Sequence, residues 1–289
     1  MNASDSTKSF KPPQALAPSP QLYDELVSDG MDNLAKATVA ELLPINSGSV
    51  VLDAGCGTGA GTAAVVQSIR LDAVSHIKFK GVDVHEGALE MYKKKATENK
   101  WPVEAIKADA GKLDTITDAT FTHALGTALL FVLPNDGVAA IQEIHRTLKI
   151  GGTAAFNSWA HTPNMEPLRA ASARTRPEGT PEIRGGMDKW EDAEFLKATI
   201  EKGGFASENI ELIKRDVYVT ASAIDRYATM LWSFIGGTTT AGWLESDAEK
   251  WDEAVEIVKA EVRKTDGFKE LEDGKFLLKF VANIAIATK

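Results

Sequence analysis

The chain has 289 residues, 44% hydrophobic and 25% charged, which suits one large or two small globular domains and excludes collagen-like or wholly disordered chains. The 32 Lys and Arg against 41 Asp and Glu leave a net charge of −9, which repels nucleic-acid phosphates and anionic membrane surfaces. No run of about 18 uncharged apolar residues is present, the single cysteine, Cys56, cannot form an internal disulfide, and no apolar export segment follows the first charges; a cytoplasmic protein is expected.

Residues 1–20, with Pro12, Pro13, Pro18 and Pro20 among polar residues, have too few large apolar groups to fold alone and are expected to form a disordered arm. From Tyr23 a helical pattern of Leu26, Leu34, Ala37 and Leu42 runs to Pro44. A regular alternation follows. Strands are expected at 49–54, 77–83, 103–108, 120–125 and 152–159, with helices at 58–69, 87–98 and 136–148. Repeated β-then-α units imply a doubly wound, mostly parallel sheet with helices on both faces.

Residues 160–190, with Pro163, Pro167, Pro177 and Pro181, read as one long loop. A helix is expected at 192–202, a strand at 210–220 and a last strand at 276–287. Between these strands, 222–275 reads as a small helical cap inserted into the domain that spans 21–289. In it Ser246 and Glu249 have the spacing of a capping box, and Trp251, Val255, Val258 and Val262 form a helical stripe.

The sharpest chemical signal is Val-Val-Leu-Asp-Ala-Gly-Cys-Gly-Thr-Gly at 50–59, a strand entering a glycine-dense turn that opens a helix. Gly55, Gly57 and Gly59 permit positive φ and close backbone approach, and the helix N-terminus supplies partial positive charge. Such turns hold dinucleotides as well as methionine-bearing nucleosides. Asp53 separates the two, because a carboxylate there suits the ammonium of a methionine moiety and repels a pyrophosphate. Asp83, at the end of the second strand, is placed to accept from both ribose hydroxyls, or else is an acid at a helix start. Asp109 is placed to accept from an adenine amine, with Ala110 leaving room for the ring, or else forms a turn. Three acids at successive strand ends would form one row along the carboxyl edge of the sheet, where open α/β folds bind ligands.

With these residues the chain resembles the class I S-adenosylmethionine-dependent methyltransferases over most of 21–160. The glycine motif, Asp83, Ala-Asp-Ala at 108–110 and Leu-Lys-Ile-Gly-Gly-Thr at 148–153 carry the likeness. The Tyr23 helix, Phe121-Thr122-His123, Asn157-Ser158-Trp159 and the late helical insertion are similar to fungal small-molecule methyltransferases of secondary metabolism. The resemblance implies a Rossmann-like seven-stranded sheet with an antiparallel final strand, and S-adenosylmethionine as cofactor. It implies that Asp53, Gly55 and Gly57 contact the methionine part, Asp83 the ribose and Asp109 the adenine amine, with Val84 and Ala110 also among the cofactor-binding residues. Thr127 would lie beside the cofactor, and Tyr23 would close over it or else face the core.

Methyl transfer is an in-line displacement on an already activated carbon, so positioning is the protein's main task and a base is optional. His161, just after the fifth strand, is the histidine placed to act as base or orienting donor. His76, His85, His123 and His145 read as structural or peripheral, and Cys56 as a packing residue. Trp232, Phe234 and Trp243 line an apolar acceptor pocket or form the insertion's own core. Arg169, Arg174, Arg176 and Arg184 read as solvated. No spacing suggests a metal site. The expected activity is methylation of an oxygen, sulfur or nitrogen of a small, partly apolar metabolite, with no nucleic-acid or membrane partner and the oligomeric state open. Two alternatives are a cofactor-binding protein of the same fold without methyl transfer and an NAD-dependent oxidoreductase.

Overall fold

The computed structural model describes residues 10–183, 188–237 and 242–289. These divide into two compact units. A sheet unit comprises 30–161, 188–217 and 281–289; a helical unit comprises, of the described residues, 10–29, 162–183, 218–237 and 242–280.

The sheet unit is built on β1 (Val50–Ala54), β2 (Lys78–Asp83), β3 (Val103–Lys107), β4 (Phe121–Gly126), β5 (Leu148–His161), β6 (Ile210–Ala221) and β8 (Phe276–Thr288). The order is β3-β2-β1-β4-β5-β8-β6, and a two-residue strand, β7 (Lys269–Glu270), adds to β8 as an eighth member. The pairs β3–β2, β2–β1, β1–β4 and β4–β5 are parallel, whereas β8 runs antiparallel to β5. The order reverses between β1 and β4, the crevice in which open α/β sheets bind ligands.

Alternation along β1 explains the double winding. Val51 packs with Ala35, Val39 and Leu42 of α2 (Gly30–Leu42) and with Ala64 and Val65 of α3 (Ala60–Ser68). Leu52 and Ala54 belong to the opposite cluster, with Ile141 and Ile144 of α6 (Val138–Thr147) and Leu196 and Ile200 of α8 (Ala193–Lys202). Because the strand period is two, neighbouring residues serve opposite layers. α5 (Glu86–Glu98) buries Leu89, Tyr92 and Ala96, one stripe at helical spacing, beside Val103 and Ala105.

The helical unit has its own apolar core. α1 (Pro20–Val27) contributes Leu22 and Leu26, α7 (Met165–Thr175) Leu168 and Ala171, α9 (Ile224–Ile235) Tyr227, Leu231 and Trp232, and α11 (Trp251–Val262) Trp251, Val258 and Val262. Trp243 stands edge-on to Trp232 at 6.2 Å and tilted against Trp251 at 6.0 Å. Trp232, Phe234 and Trp243 thus belong to this core.

Several expectations need correction. The helix expected from Tyr23 to Pro44 is two helices, broken at Ser28, whose φ of 46° no helix continues. The expected 160–190 loop contains α7; Pro167 falls in its first turn, where a missing N–H breaks no helical bond. Ser246 does not cap. α10 (Glu245–Glu249) starts one residue before it, Leu244 N–H donates to Asp247 Oδ2 at 2.8 Å, and Ser246 Oγ has no partner. Of the expected arm, residues 1–9 and Arg184 of the later loop lie outside the described residues. Residues 10–20 include buried Pro12 and Ala15, and Leu16 N–H donates to Ser233 Oγ at 3.1 Å. Among the described residues no helix is long and apolar enough to cross a membrane.

Candidate functional site

The site begins where β1 ends. Gly55, Gly57 and Gly59 all have positive φ, the left-handed region that favours glycine. A Cβ at Gly59 would collide with the Tyr92 ring, whereas nothing lies within 4 Å of the position a Cβ would take at Gly57. The turn is packed from below and open at its middle glycine. Gly59 N–H donates to Cys56 O at 2.8 Å, and Cys56 N–H to Val82 O at 3.0 Å, which ties the turn to β2.

The three acids have different tasks. Asp53 is 1% exposed and lies under the turn. Its Oδ2 accepts both the N–H and the hydroxyl of Thr62, each at 2.8 Å. The capping position before α3 is Gly59, which has no side chain to accept from the helix, and Asp53 supplies the missing acceptor to Thr62, the third helical residue. Burial pushes the Asp53 carboxyl up to about 6, the Thr62 donors oppose the rise, and the nearby Asp83 charge adds to it.

Asp83 is half-buried and braces the turn: Oδ2 accepts from Gly57 N–H at 2.9 Å and Oδ1 from His85 N–H at 2.8 Å. Asp109 is exposed, and its Oδ1 accepts from Gly111 N–H at 2.8 Å, a side-chain turn that leaves Oδ2 without a partner among the described residues. Asp83 and Asp109 stand at the carboxyl ends of adjacent strands, but Asp53 is withdrawn beneath its glycines. The three acids expected in a row at the strand ends thus differ in burial, Asp83 and Asp109 reaching the edge and Asp53 lying buried beneath the turn.

Val84, next to Asp83, is a 50% exposed apolar side chain, and Ala110 is buried beside Asp109. Thr127, just past β4, has a buried hydroxyl with no hydrogen-bond partner among the described residues. The next residue, Ala128, is held at φ 51°, its N–H donating to Asn157 Oδ1 at 2.8 Å. Asn157 Nδ2 donates in turn to Thr38 Oγ1 at 2.8 Å, so α2 and β5 together fix the corner that presents Thr127.

Tyr23 belongs to the helical unit, is 43% exposed and packs against Phe234, ring centres 5.5 Å apart. His161 is half-buried at the last position of β5, opposite Val281. Burial lowers the His123 and His145 imidazoles from their ordinary value, which favours the neutral form of both. Cys56 is buried, and desolvation with the charges of Asp53 and Asp83 pushes its thiol far above the range of a nucleophile. Arg176 is not solvated: its side chain is fully buried against Asp247.

Sequence reasoning missed Thr62, Tyr92, Asn157 and Thr38 as parts of this site. Tyr92 OH lies 2.7 Å from Thr62 Oγ1, one bond removed from Asp53. Its position in the Leu89, Tyr92, Ala96 stripe was legible, but the stripe reads as core.

A family model described as a methyltransferase domain matches residues 51–152. The methyltransferase ktnA of Aspergillus niger is 28% identical over 191 residues, 59% of this chain and 63% of that protein, so the match spans less than two thirds of that relative. The methyltransferase tpcH of Aspergillus fumigatus is 25% identical over 195 residues, 64% of this chain and 67% of its own. Among solved structures, a Haemonchus contortus phosphoethanolamine N-methyltransferase 2, in complex with phosphomonomethylethanolamine and S-adenosylhomocysteine, shares the fold. Its TM-score is 0.51 at 16% identity, over 93% of this chain and 56% of that one.

Proposed function

We propose that this chain, which belongs to the class I S-adenosylmethionine-dependent methyltransferases, moves a methyl group from that cofactor to an oxygen, sulfur or nitrogen of a small, partly apolar metabolite. The observation that carries the reading is the turn at Gly57: it is open to a ligand while Asp83 braces its amide, and the unpaired Thr127 hydroxyl stands past the neighbouring strand. A buried hydroxyl without a partner costs about 1–3 kcal/mol, which a bound ligand's polar group would recover.

In this reading the main chain at Gly55 and Gly57 holds the amino-acid end. Asp83 receives the ribose hydroxyls, Val84 and Ala110 flank the adenine, and the spare oxygen of Asp109 accepts from its amine. When bound, the cofactor supplies an electrophilic methyl on a sulfonium, so the protein needs no group to activate it. The residues orient it and exclude water; fixing two reactants in line can lower a barrier by about 7–11 kcal/mol. His161 is assigned as the group that orients the acceptor or takes its proton, a task a hydroxyl acceptor requires and a thiol does not.

Titration calorimetry of the full chain tests the cofactor, with heat expected for S-adenosylhomocysteine and none for NAD. Binding of NAD alone would overturn the reading in favour of hydride transfer. Incubation with labelled S-adenosylmethionine and a metabolite extract should then yield products heavier by one methylene. Cofactor binding with no such product across a broad panel would make the chain a binder without transferase activity.

A further inference from the structure

We propose that Tyr92 is a positioning residue whose hydroxyl, acting through Thr62, holds Asp53 as an anion beneath the glycine turn and so sets how tightly the turn grips the amino-acid end of the cofactor. The inference rests on the cofactor reading above. It starts from a proton count. Thr62 has one hydroxyl hydrogen, and its oxygen lies 2.8 Å from Asp53 Oδ2 and 2.7 Å from Tyr92 OH. With that hydrogen on the carboxylate, Tyr92 must donate its own to Thr62, and the chain phenol, hydroxyl, carboxylate runs one way. Donation into Thr62 Oγ1 makes Thr62 a stronger donor to the charged acid.

The groups around Asp53 leave this chain a decisive part. Asp83 and the Cys56 thiol face it from the β2 end and the turn, and neither favours a negative charge. α3 offers Thr62 and its amide, α5 offers the Tyr92 phenol, and among the described residues no cation pairs with the carboxylate. Burial has already pushed Asp53 up to about 6, and removing a donor from the chain raises it further. An ammonium bound at the turn meets a full negative charge only while the chain is intact.

Ring and hydroxyl are separable. The Tyr92 ring occupies the space a Cβ would need at Gly59 and Gly81, and this packing survives in Tyr92→Phe. Two probes read the charge: S-adenosylhomocysteine carries the ammonium, while methylthioadenosine is the same nucleoside thioether without the amino acid. Calorimetry on the full chain at pH 6, 7 and 8.5 should show Tyr92→Phe and Thr62→Val binding S-adenosylhomocysteine about tenfold more weakly at pH 7. The loss should shrink at pH 8.5, where Asp53 ionises regardless. Methylthioadenosine should bind all variants within about twofold of wild type, and Thr62→Ser, which keeps the hydroxyl, should restore the original affinity. Equal S-adenosylhomocysteine binding by Tyr92→Phe at every pH overturns the proposal, as does an equal loss for both probes, which would make Tyr92 a shape-filling residue. Absence of S-adenosylhomocysteine binding by the wild-type chain fails the cofactor reading instead, a result distinct from either.

Discussion

The chain buries two aspartates in opposite ways. In the helical unit, Asp247 meets Arg176 in a fork, Nε to Oδ1 at 2.8 Å and Nη2 to Oδ2 at 3.0 Å, and accepts Leu244 N–H as well. Arg176 Nη2 also donates to Gly236 O at 2.8 Å, and the guanidinium lies 5.5 Å from the Trp232 ring centre and 5.9 Å from that of Trp243. Charge is cancelled and the site is saturated. In the sheet unit, Asp53 has a helix N-terminus and two linked hydroxyls but no cation. Buried ion pairs persist when geometry and hydrogen bonds make up for lost hydration. A buried acid held only by neutral donors stays electrically unfinished, and a cationic ligand can complete it.

The contrast can be broken first at its stronger pole. Arg176→Met strips Asp247 of its counter-charge and should cost about 3–5 kcal/mol, read as a lowered urea midpoint; the double variant Arg176→Met/Asp247→Leu should recover much of it. No loss in the single variant would mean that Asp247 is as tolerant of isolation as Asp53.

Next comes the pH dependence of Asp53. Its folded value, about 6, exceeds the ordinary 3.8, so between pH 4 and 6 the folded chain holds a proton the unfolded chain has released. This contribution to stability is complete below about pH 4 and is lost as pH rises through 6, about 3 kcal/mol in all at 1.4 kcal/mol per unit. Asp53→Asn should remove that slope, seen as a difference between variant and wild-type urea midpoints that changes across pH 4–7. A constant difference would mean that Asp53 is ionised throughout.

A smaller effect is expected at the open rim. Thr127→Val deletes a hydroxyl that has no partner, so stability should stay within about 0.5 kcal/mol or rise. Affinity for S-adenosylhomocysteine should nevertheless fall about threefold to tenfold by calorimetry, because the ligand loses the partner the protein never used. Unchanged affinity would remove Thr127 from the site.

Much of this was readable in the residues. Val50–Ala54, the three glycines and the following helix could be placed because an apolar run, a change of period and positive-φ residues coincide. α7 was not legible, since Pro167 counts against a helix until its place in the first turn is known. The acids stand at strand ends as the string implies, but their orientations are not in the string. Period-two alternation puts Asp53 on the Val51 face, toward α2 and α3, a signal that the glycine motif by itself does not carry. The link from Asp53 through Thr62 to Tyr92 joins residues up to 39 positions apart, and only the packing of α5 over the turn brings them together.

The same burial gives the molecule a built-in clock. Cys56, the chain's single thiol, sits inside the glycine turn and is held protonated by its surroundings, so an alkylating reagent can reach a reactive sulfur only when the turn swings open. The labelling rate of the unmodified protein therefore times the breathing of its glycine turn, without an introduced probe. A molecule seated across the turn should slow that clock in proportion to its occupancy.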